Sequence, residues 1–321
     1  MESDYISLMR KLAPDLAGEI ARRALVLERI SAMQPVGRRQ LAAETRLPGR
    51  GIRNTAAILK ELGYIEMDAS GMRLSPGAGD ILPEAAEFSR AFGGITDLER
   101  GLNELLPVDN LVIARGDADT DARVLQDVGR LCGIRLREMV RSGDTVAVSG
   151  GSTLAAVVRN MPVSSPLNVM VVPARGGMGR SAELQANTIA SGLAEKLGGH
   201  YRLMHLPDQL DDAAMQEMLK VSEVSEVMDR VRRADIIIHG ISDGADEGAA
   251  ERGLNRKEKA LLREKARGEC FGSYYDMEGN CLLSLSRVGE EPGRLNPDCR
   301  RIAAAAGSSK AEAIIAVLRH E

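Results

Sequence analysis

From about residue 108 the chain alternates short apolar runs with longer stretches of helical spacing, and this alternation is its strongest constraint on fold. The apolar runs fall at 110–114, 145–149, 168–173, 201–205 and 235–239. Between them, 124–140, 154–160, 184–197 and 221–234 carry helical periodicity. Apolar strands separated by helices imply a parallel sheet covered on both faces. The expectation for 108–321 is therefore a Rossmann-like, doubly wound α/β domain. A late hairpin is expected at 274–285, turning at 278–280. A chain of 321 residues has room for about two domains.

Two small-residue turns stand out within this pattern. The first, GGST, holds Gly150, Gly151, Ser152 and Thr153 where an apolar run gives way to a helix. The second, AAAGSSK, opens the last helix and ends in Lys310. Backbone N–H groups at a helix N-terminus point outward with partial positive charge, which suits phosphate above other ligands. Open α/β sheets bind ligands outside the carboxyl ends of their strands, where the first turn would lie. Arg175 follows the next apolar run in VPARGGMGR, and Gln185 begins the next helix. Taken singly, each is as consistent with an ordinary strand-to-helix turn or an exposed polar residue. Together, the two turns point to a phosphorylated small molecule.

The N-terminal quarter reads differently. From Arg22 to Lys60 nine Arg and Lys face only Glu28 and Glu44, a local net charge of +7 on a chain whose net charge is −4. Such a block suggests a nucleic-acid footprint. Helices are expected at 16–33, with Leu16, Ile20, Leu25, Leu27 and Ile30 on one stripe, at 38–45 and at 52–62. Residues 64–74 read as two strands around Ser70 and Gly71. Three helices and a hairpin make a winged helix-turn-helix over 1–77. Its third helix would place Arg50, Arg53, Asn54 and Thr55 at base edges of double-stranded DNA. Arg38 and Arg39, with Arg73 in the wing, would meet phosphates. Residues 78–107 read as a connecting helical segment, compatible with a homodimer or a homotetramer.

Several classes are disfavoured. With no Trp, three Phe and five Tyr the chain lacks the stacking platforms of single-strand binders. Cys132, Cys270, Cys281 and Cys299 show no metal-binding spacing. No apolar run reaches membrane length and no leader-like segment is visible. The expectation is a cytoplasmic protein with reduced thiols, no metal site and no membrane partner.

The motifs PVGRRQLA, RNTAAILKELGYIEMDASGMRLSPGAGDIL, VSGGST, VPARGGMG, ELQANTIA, FGSYYDMEGN and AAGSSKAEAIIAVLR resemble those of the SorC/DeoR-type sugar-binding transcriptional regulators. The resemblance spans nearly the whole chain. It implies a non-enzymatic repressor of a glycolytic operon, released from its DNA operator by a sugar phosphate, with fructose-1,6-bisphosphate the leading effector and no other cofactor. It further implies that Gly151, Ser152 and Thr153 with Lys310 hold one phosphate. Arg175, Gln185 and Arg252 would hold the other, and Glu269 would accept hydrogen bonds from sugar hydroxyls.

A competing reading comes from DGADE at 243–247 and ALLREK at 260–265, which resemble ribose-5-phosphate isomerase. Asp243, Asp246 and Glu264 would then be the proton-transfer carboxylates. RKEK at 256–259 stands where that enzyme has a glycine-rich, lysine-bearing stretch, and the separation of Thr153 from Asp243 is too long for it.

Overall fold

The computed structural model divides into two units, Met1–Leu105 and Leu106–Glu321. It describes residues 2–162, 165–176, 181–206, 210, 212–244, 254–284 and 296–320.

The first unit comprises α1 (Glu2–Leu12), α2 (Pro14–Met33), α3 (Arg38–Thr45), α4 (Gly49–Glu61), β1 (Ile65–Asp68), β2 (Gly71–Leu74), α5 (Leu82–Phe92) and α6 (Ile95–Leu105). Its core gathers Val26, Leu27 and Ile30 of α2, Leu41 of α3, Ile52, Ala56 and Leu59 of α4, and Ile65 and Met72 of the hairpin. α3 and α4 are joined by only Arg46, Leu47 and Pro48. Arg46 closes α3 in the left-handed region (φ 55°) and Pro48 precedes the first turn of α4. The helix therefore begins three residues before the expected start at Ile52. β1 and β2 pair antiparallel from Ile65↔Leu74 to Asp68↔Gly71, and Val36 bridges Met72. The Asp68 carboxylate closes this hairpin, accepting from the N–H of Ser70 (2.7 Å) and Gly71 (3.2 Å), and these bonds with the Ser70 hydroxyl hold its pKa below the usual value.

The expected stripe on α2 is wrong at one end. Leu16 and Ile20 are 62% and 40% exposed, whereas Ala17 and Ala24 are buried. Small side chains suit the close approach of α5, which packs along α2. Hydrophobicity alone favours the larger residues one position away.

The second unit contains α7 (Ala122–Met139), β3 (Thr145–Val148), α8 (Ser152–Asn160), β4 (Met170–Pro173), α9 (Ala186–Leu197), β5 (His200–Tyr201), α10 (Asp212–Met218), α11 (Ser222–Arg232) and β6 (Ile236–Gly240). It continues with β7 (Ser242–Asp243), α12 (Arg256–Lys265), β8 (Gly268–Cys270), β9 (Ser273–Tyr275), β10 (Cys281–Ser284), β11 (Arg300–Ala304) and α13 (Ala311–Leu318). Five strands form a parallel sheet in the order β11-β6-β3-β4-β5. Side chains alternate between its faces. Val146, Val148, Val171, Ile236 and Ile238 pack with α7, α8 and α9. Ala147, Val172 and Ile237 pack with α11 and α13 on the other side. This is the doubly wound architecture. A second, antiparallel sheet, β10-β9-β8-β7, starts one residue beyond β6, and its β9–β10 pair is the expected late hairpin.

Two expectations fail. Residues 110–114 belong to no strand, and Val112 is 43% exposed. An inner strand of this sheet is buried on both faces, as β3 and β6 are. Conversely, β11 was not foreseen, because Arg300 and Arg301 disguise it. It is an edge strand on which Ile302 and Ala304 face inward while Arg301 and Ala303 face solvent. The Arg300 guanidinium is held by Asp144 (2.7 Å) and the Met139 carbonyl. No described helix is long and apolar enough to cross a membrane.

Candidate functional site

In chain order the parallel strands are β3, β4, β5, β6 and β11. The chain therefore leaves β3 for one side and returns on the other, at β6. This switch point opens a crevice at the strand carboxyl ends, the usual ligand position in such sheets. All strands being parallel, the segments after β3, β4, β6 and β11 share this edge. They carry the GGST turn, Arg175, β7 and the Lys310 turn. Beneath the edge, Ser149 donates its N–H to Ile238 (3.0 Å) and accepts from the Gly240 N–H (3.3 Å), tying β3 to β6.

The GGST turn lies where the sequence places it. A side chain at Gly150 would put its Cβ 2.7 Å from the Leu184 carbonyl oxygen, so glycine is needed for the chain before α9 to approach. The same approach brings Gln185, which precedes α9, beside the turn. Gly151 adopts φ 119°, a conformation rarely open to other residues, and donates its N–H to Leu184 (2.9 Å). Its role is thus to shape the turn. The N–H groups of Ser152, Thr153 and Leu154 precede the first bond of α8, from Ala155 to Gly151 (3.0 Å). Ser152 is exposed, while Thr153 is only 4% exposed.

Arg175 and Glu269, expected to serve different parts of a ligand, are paired. Arg175 Nη1 lies 3.2 Å from Glu269 Oε1, with side chains 13% and 8% exposed. The same carboxylate oxygen accepts from the Gly272 N–H at 2.7 Å. Glu269 sits on β8 opposite Ser242 of β7, so the pair links the end of β4 to the second sheet. His239 is fully buried below, its Nδ1 3.2 Å from Cys270 Sγ and its ring against Phe271.

The second turn holds Ser308, Ser309 and Lys310 in a single 3-10 turn before α13. Lys310 is half-buried and has no ion pair among the described residues. The two serines are already engaged by carboxylates. Asp117 accepts from the Ser308 N–H (3.0 Å) and hydroxyl (2.7 Å), and Asp119 accepts from the Ser309 N–H (2.7 Å). These bonds hold both carboxyls below their ordinary pKa. Gly307, at φ 105°, lies so close to Asp119 that a side chain there would collide with the carboxylate. Nothing local in RGDADTD at 115–121 signals this distant partner.

The remaining residues divide. Arg252 and Asp246 lie outside the described residues. Asp243 is on β7 opposite Gly268, and Glu264 is exposed on α12. No group of three or more described His, Cys, Asp or Glu residues could hold a metal, and the four cysteines form no disulfide. Burial pushes the Cys132 thiol up to about 12. In the first unit Arg38 and Arg39 are exposed at the start of α3, Arg50, Arg53 and Asn54 are exposed on α4, and Arg73 is exposed on β2. Thr55 is 2% exposed and faces the core, so it is not presented with them.

Residues 20–88 match the family described as "CggR N-terminal DNA binding domain", and residues 90–321 match the "Putative sugar-binding domain" family. The chain is 35% identical over 316 residues to the central glycolytic genes regulator of Priestia megaterium, covering 98% of this chain and 92% of that one. It is 32% identical over 318 residues to the Bacillus subtilis protein of the same name, covering 99% and 94%. The fold is similar to that of the full-length sorbitol operon regulator SorC from Klebsiella pneumoniae, with a TM-score of 0.64 at 20% identity over 90% of this chain and 89% of that one. These relatives are transcription regulators, which sets aside the isomerase reading of Asp243, Asp246 and Glu264. The chain belongs to the family of the central glycolytic genes regulators: DNA-binding, sugar-responsive transcription regulators of the SorC type.

Proposed function

We propose that this regulator is a cytoplasmic repressor of central glycolytic genes, released from its operator by fructose-1,6-bisphosphate or a close relative. The carrying observation is that one sheet edge, at the switch point, presents the GGST turn, the Arg175–Glu269 pair and the Lys310 turn together. In this reading Ser152 and Thr153, on a turn shaped by Gly151, hold one phosphate with Lys310. Arg175, Gln185 and Arg252 hold the other, and Glu269 receives the sugar hydroxyls. Arg50, Arg53 and Asn54 read base edges, while Arg38, Arg39 and Arg73 meet phosphates. A homodimer or homotetramer is supported by Tyr5, Leu8, Leu12, Leu16 and Ile20, large apolar residues exposed at helical spacing on α1 and α2.

The test is thermal unfolding against fructose-1,6-bisphosphate, fructose-6-phosphate, dihydroxyacetone phosphate and ribose-5-phosphate, followed by operator titration with each binder. A ligand of the folded state alone stabilises it by about 2.7 kcal/mol at a hundredfold excess over Kd. The expected result is a selective rise with the bisphosphate, which also weakens operator binding. Arg175→Ala should weaken the bisphosphate more than a monophosphate. Equal losses would refute the division into two subsites.

A further inference from the structure

We infer that Asp117 and Asp119 act as an internal anion on the Ser308–Lys310 turn, and that a phosphoryl group binding there must displace them. The inference rests on reading this turn as a phosphate subsite. The contacts are specific. Asp117 Oδ1 and Oδ2 take the N–H and hydroxyl of Ser308 at 3.0 and 2.7 Å. Asp119 Oδ2 takes the Ser309 N–H at 2.7 Å and lies 3.3 Å from the Ser308 hydroxyl. These are the donors that such a turn offers to an anion. A phosphate cannot accept from the same two N–H groups while both carboxylates remain, and like charges at this range repel. Lys310, in the same turn, is left as a cation without an ion pair among the described residues. The carboxylates thus occupy the directional donors while the charge that would favour phosphate stays open.

The displaced segment leads directly into the rest of the site. Asp121 donates its N–H to the Asp117 carbonyl (3.0 Å), and its side chain caps α7 through the Arg123 N–H (3.2 Å). α7 packs along α8, whose first turn is the GGST turn. Exchange of carboxylate for phosphate at Ser308 and Ser309 therefore moves a segment anchored to the helix behind the other phosphate turn. A ligand changes a protein's state only through differential affinity for two arrangements. The two arrangements here are segment 117–121 on the turn and segment 117–121 off it.

The experiment uses the full chain and two probes, inorganic phosphate and fructose-1,6-bisphosphate, with affinities from calorimetry. The double variant Asp117→Asn, Asp119→Asn should bind both probes at least tenfold more tightly than the parent. Unchanged or weaker binding overturns the exchange and leaves the carboxylates as a structural clamp. Lys310→Gln separates this failure from the broader one. If Lys310→Gln weakens both probes while the double variant fails to tighten them, the subsite stands and the exchange falls. If Lys310→Gln changes nothing, the phosphate reading of the turn falls with it. Should the double variant not fold, amide hydrogen exchange on the unaltered protein decides. Saturating bisphosphate should accelerate exchange in 117–121 severalfold, and unchanged or slower exchange there overturns the inference.

Discussion

Replacing Arg175 by Met removes one partner of the least exposed ion pair found at the crevice and leaves the other in place. Glu269 would keep the Gly272 N–H at 2.7 Å but lose the guanidinium at 3.2 Å, in a position only 8% exposed. Removing one member of a fully buried pair costs about 3–5 kcal/mol, because the remaining charge is uncompensated. The retained N–H bond and the 13% exposure on the arginine side lower the expectation to about 2–4 kcal/mol. For a unit of this size that is a fall in Tm of about 5–12 °C. The sign with pH follows. Without Arg175 the folded-state pKa of Glu269 rises above its unfolded value of about 4.3. The penalty is therefore full at high pH and vanishes as pH falls below that unfolded value. Calorimetric or urea unfolding of Arg175→Met at pH 8 and pH 5 should show the smaller loss at pH 5. Adding Glu269→Gln should restore stability, since a neutral amide still accepts from Gly272. A loss under about 1 kcal/mol that is flat with pH, or a double variant no more stable than Arg175→Met, would refute the electrostatic account.

Three further outcomes are expected. Gly150→Ala should cost about 1–3 kcal/mol in urea unfolding, because its Cβ would lie 2.7 Å from the Leu184 carbonyl, and a loss near zero would show that the backbone yields. In operator titrations Arg53→Ala should cost about 1–3 kcal/mol and relax base preference, whereas Arg38→Ala should reduce the slope of log K against log salt by about 0.9. An unchanged slope would take Arg38 off the phosphates. Asp117 and Asp119 have depressed folded-state pKa values, so the stability they add is present above the unfolded value of about 3.9 and lost as pH falls through the folded values. Asp117→Asn, Asp119→Asn should thus be less stable than the parent at pH 7 and converge with it in acid, and parallel curves would exclude the contact.

The doubly wound sheet was legible because β3, β4 and β6 are apolar on both faces, a pattern that solvent-exposed segments do not produce. The winged helix was legible because its charges and its turn chemistry agree. β11 was hidden because an edge strand buries only one face, and Arg300 serves partners far away in the chain. The expected start of α4 falls three residues late because Gly49 and Gly51 are poor helix formers, while Pro48 fixes the helix entry. At the site, the GGST turn could be read locally, since its glycines answer to local backbone geometry. The pairing of Arg175 with Glu269, 94 residues apart, and of Asp117 and Asp119 with Ser308 and Ser309, about 190 residues apart, could not. Such pairs follow from sheet topology, and single-chain periodicity carries no information about which distant carboxylate meets which donor.

That distinction also bears on why a crevice of this kind suits a sensor. An enzyme gains rate only from interactions stronger in the transition state than in the ground state. A sensor gains response only from interactions that differ between two conformations. Donors already engaged by the chain's own carboxylates serve the second requirement. In this structure Glu269 holds Arg175, and Asp117 and Asp119 hold Ser308 and Ser309. On the exchange inferred above, a phosphosugar binds only the fraction of molecules in which the carboxylates have let go, and its apparent Kd rises as that fraction falls. A tenfold preference for the carboxylate-held form raises the responding concentration about tenfold without altering a single ligand contact. The threshold for a metabolite present at high concentration can then be set by Asp117 and Asp119, while Ser152, Thr153 and Lys310, the residues proposed to recognise phosphate, stay unchanged.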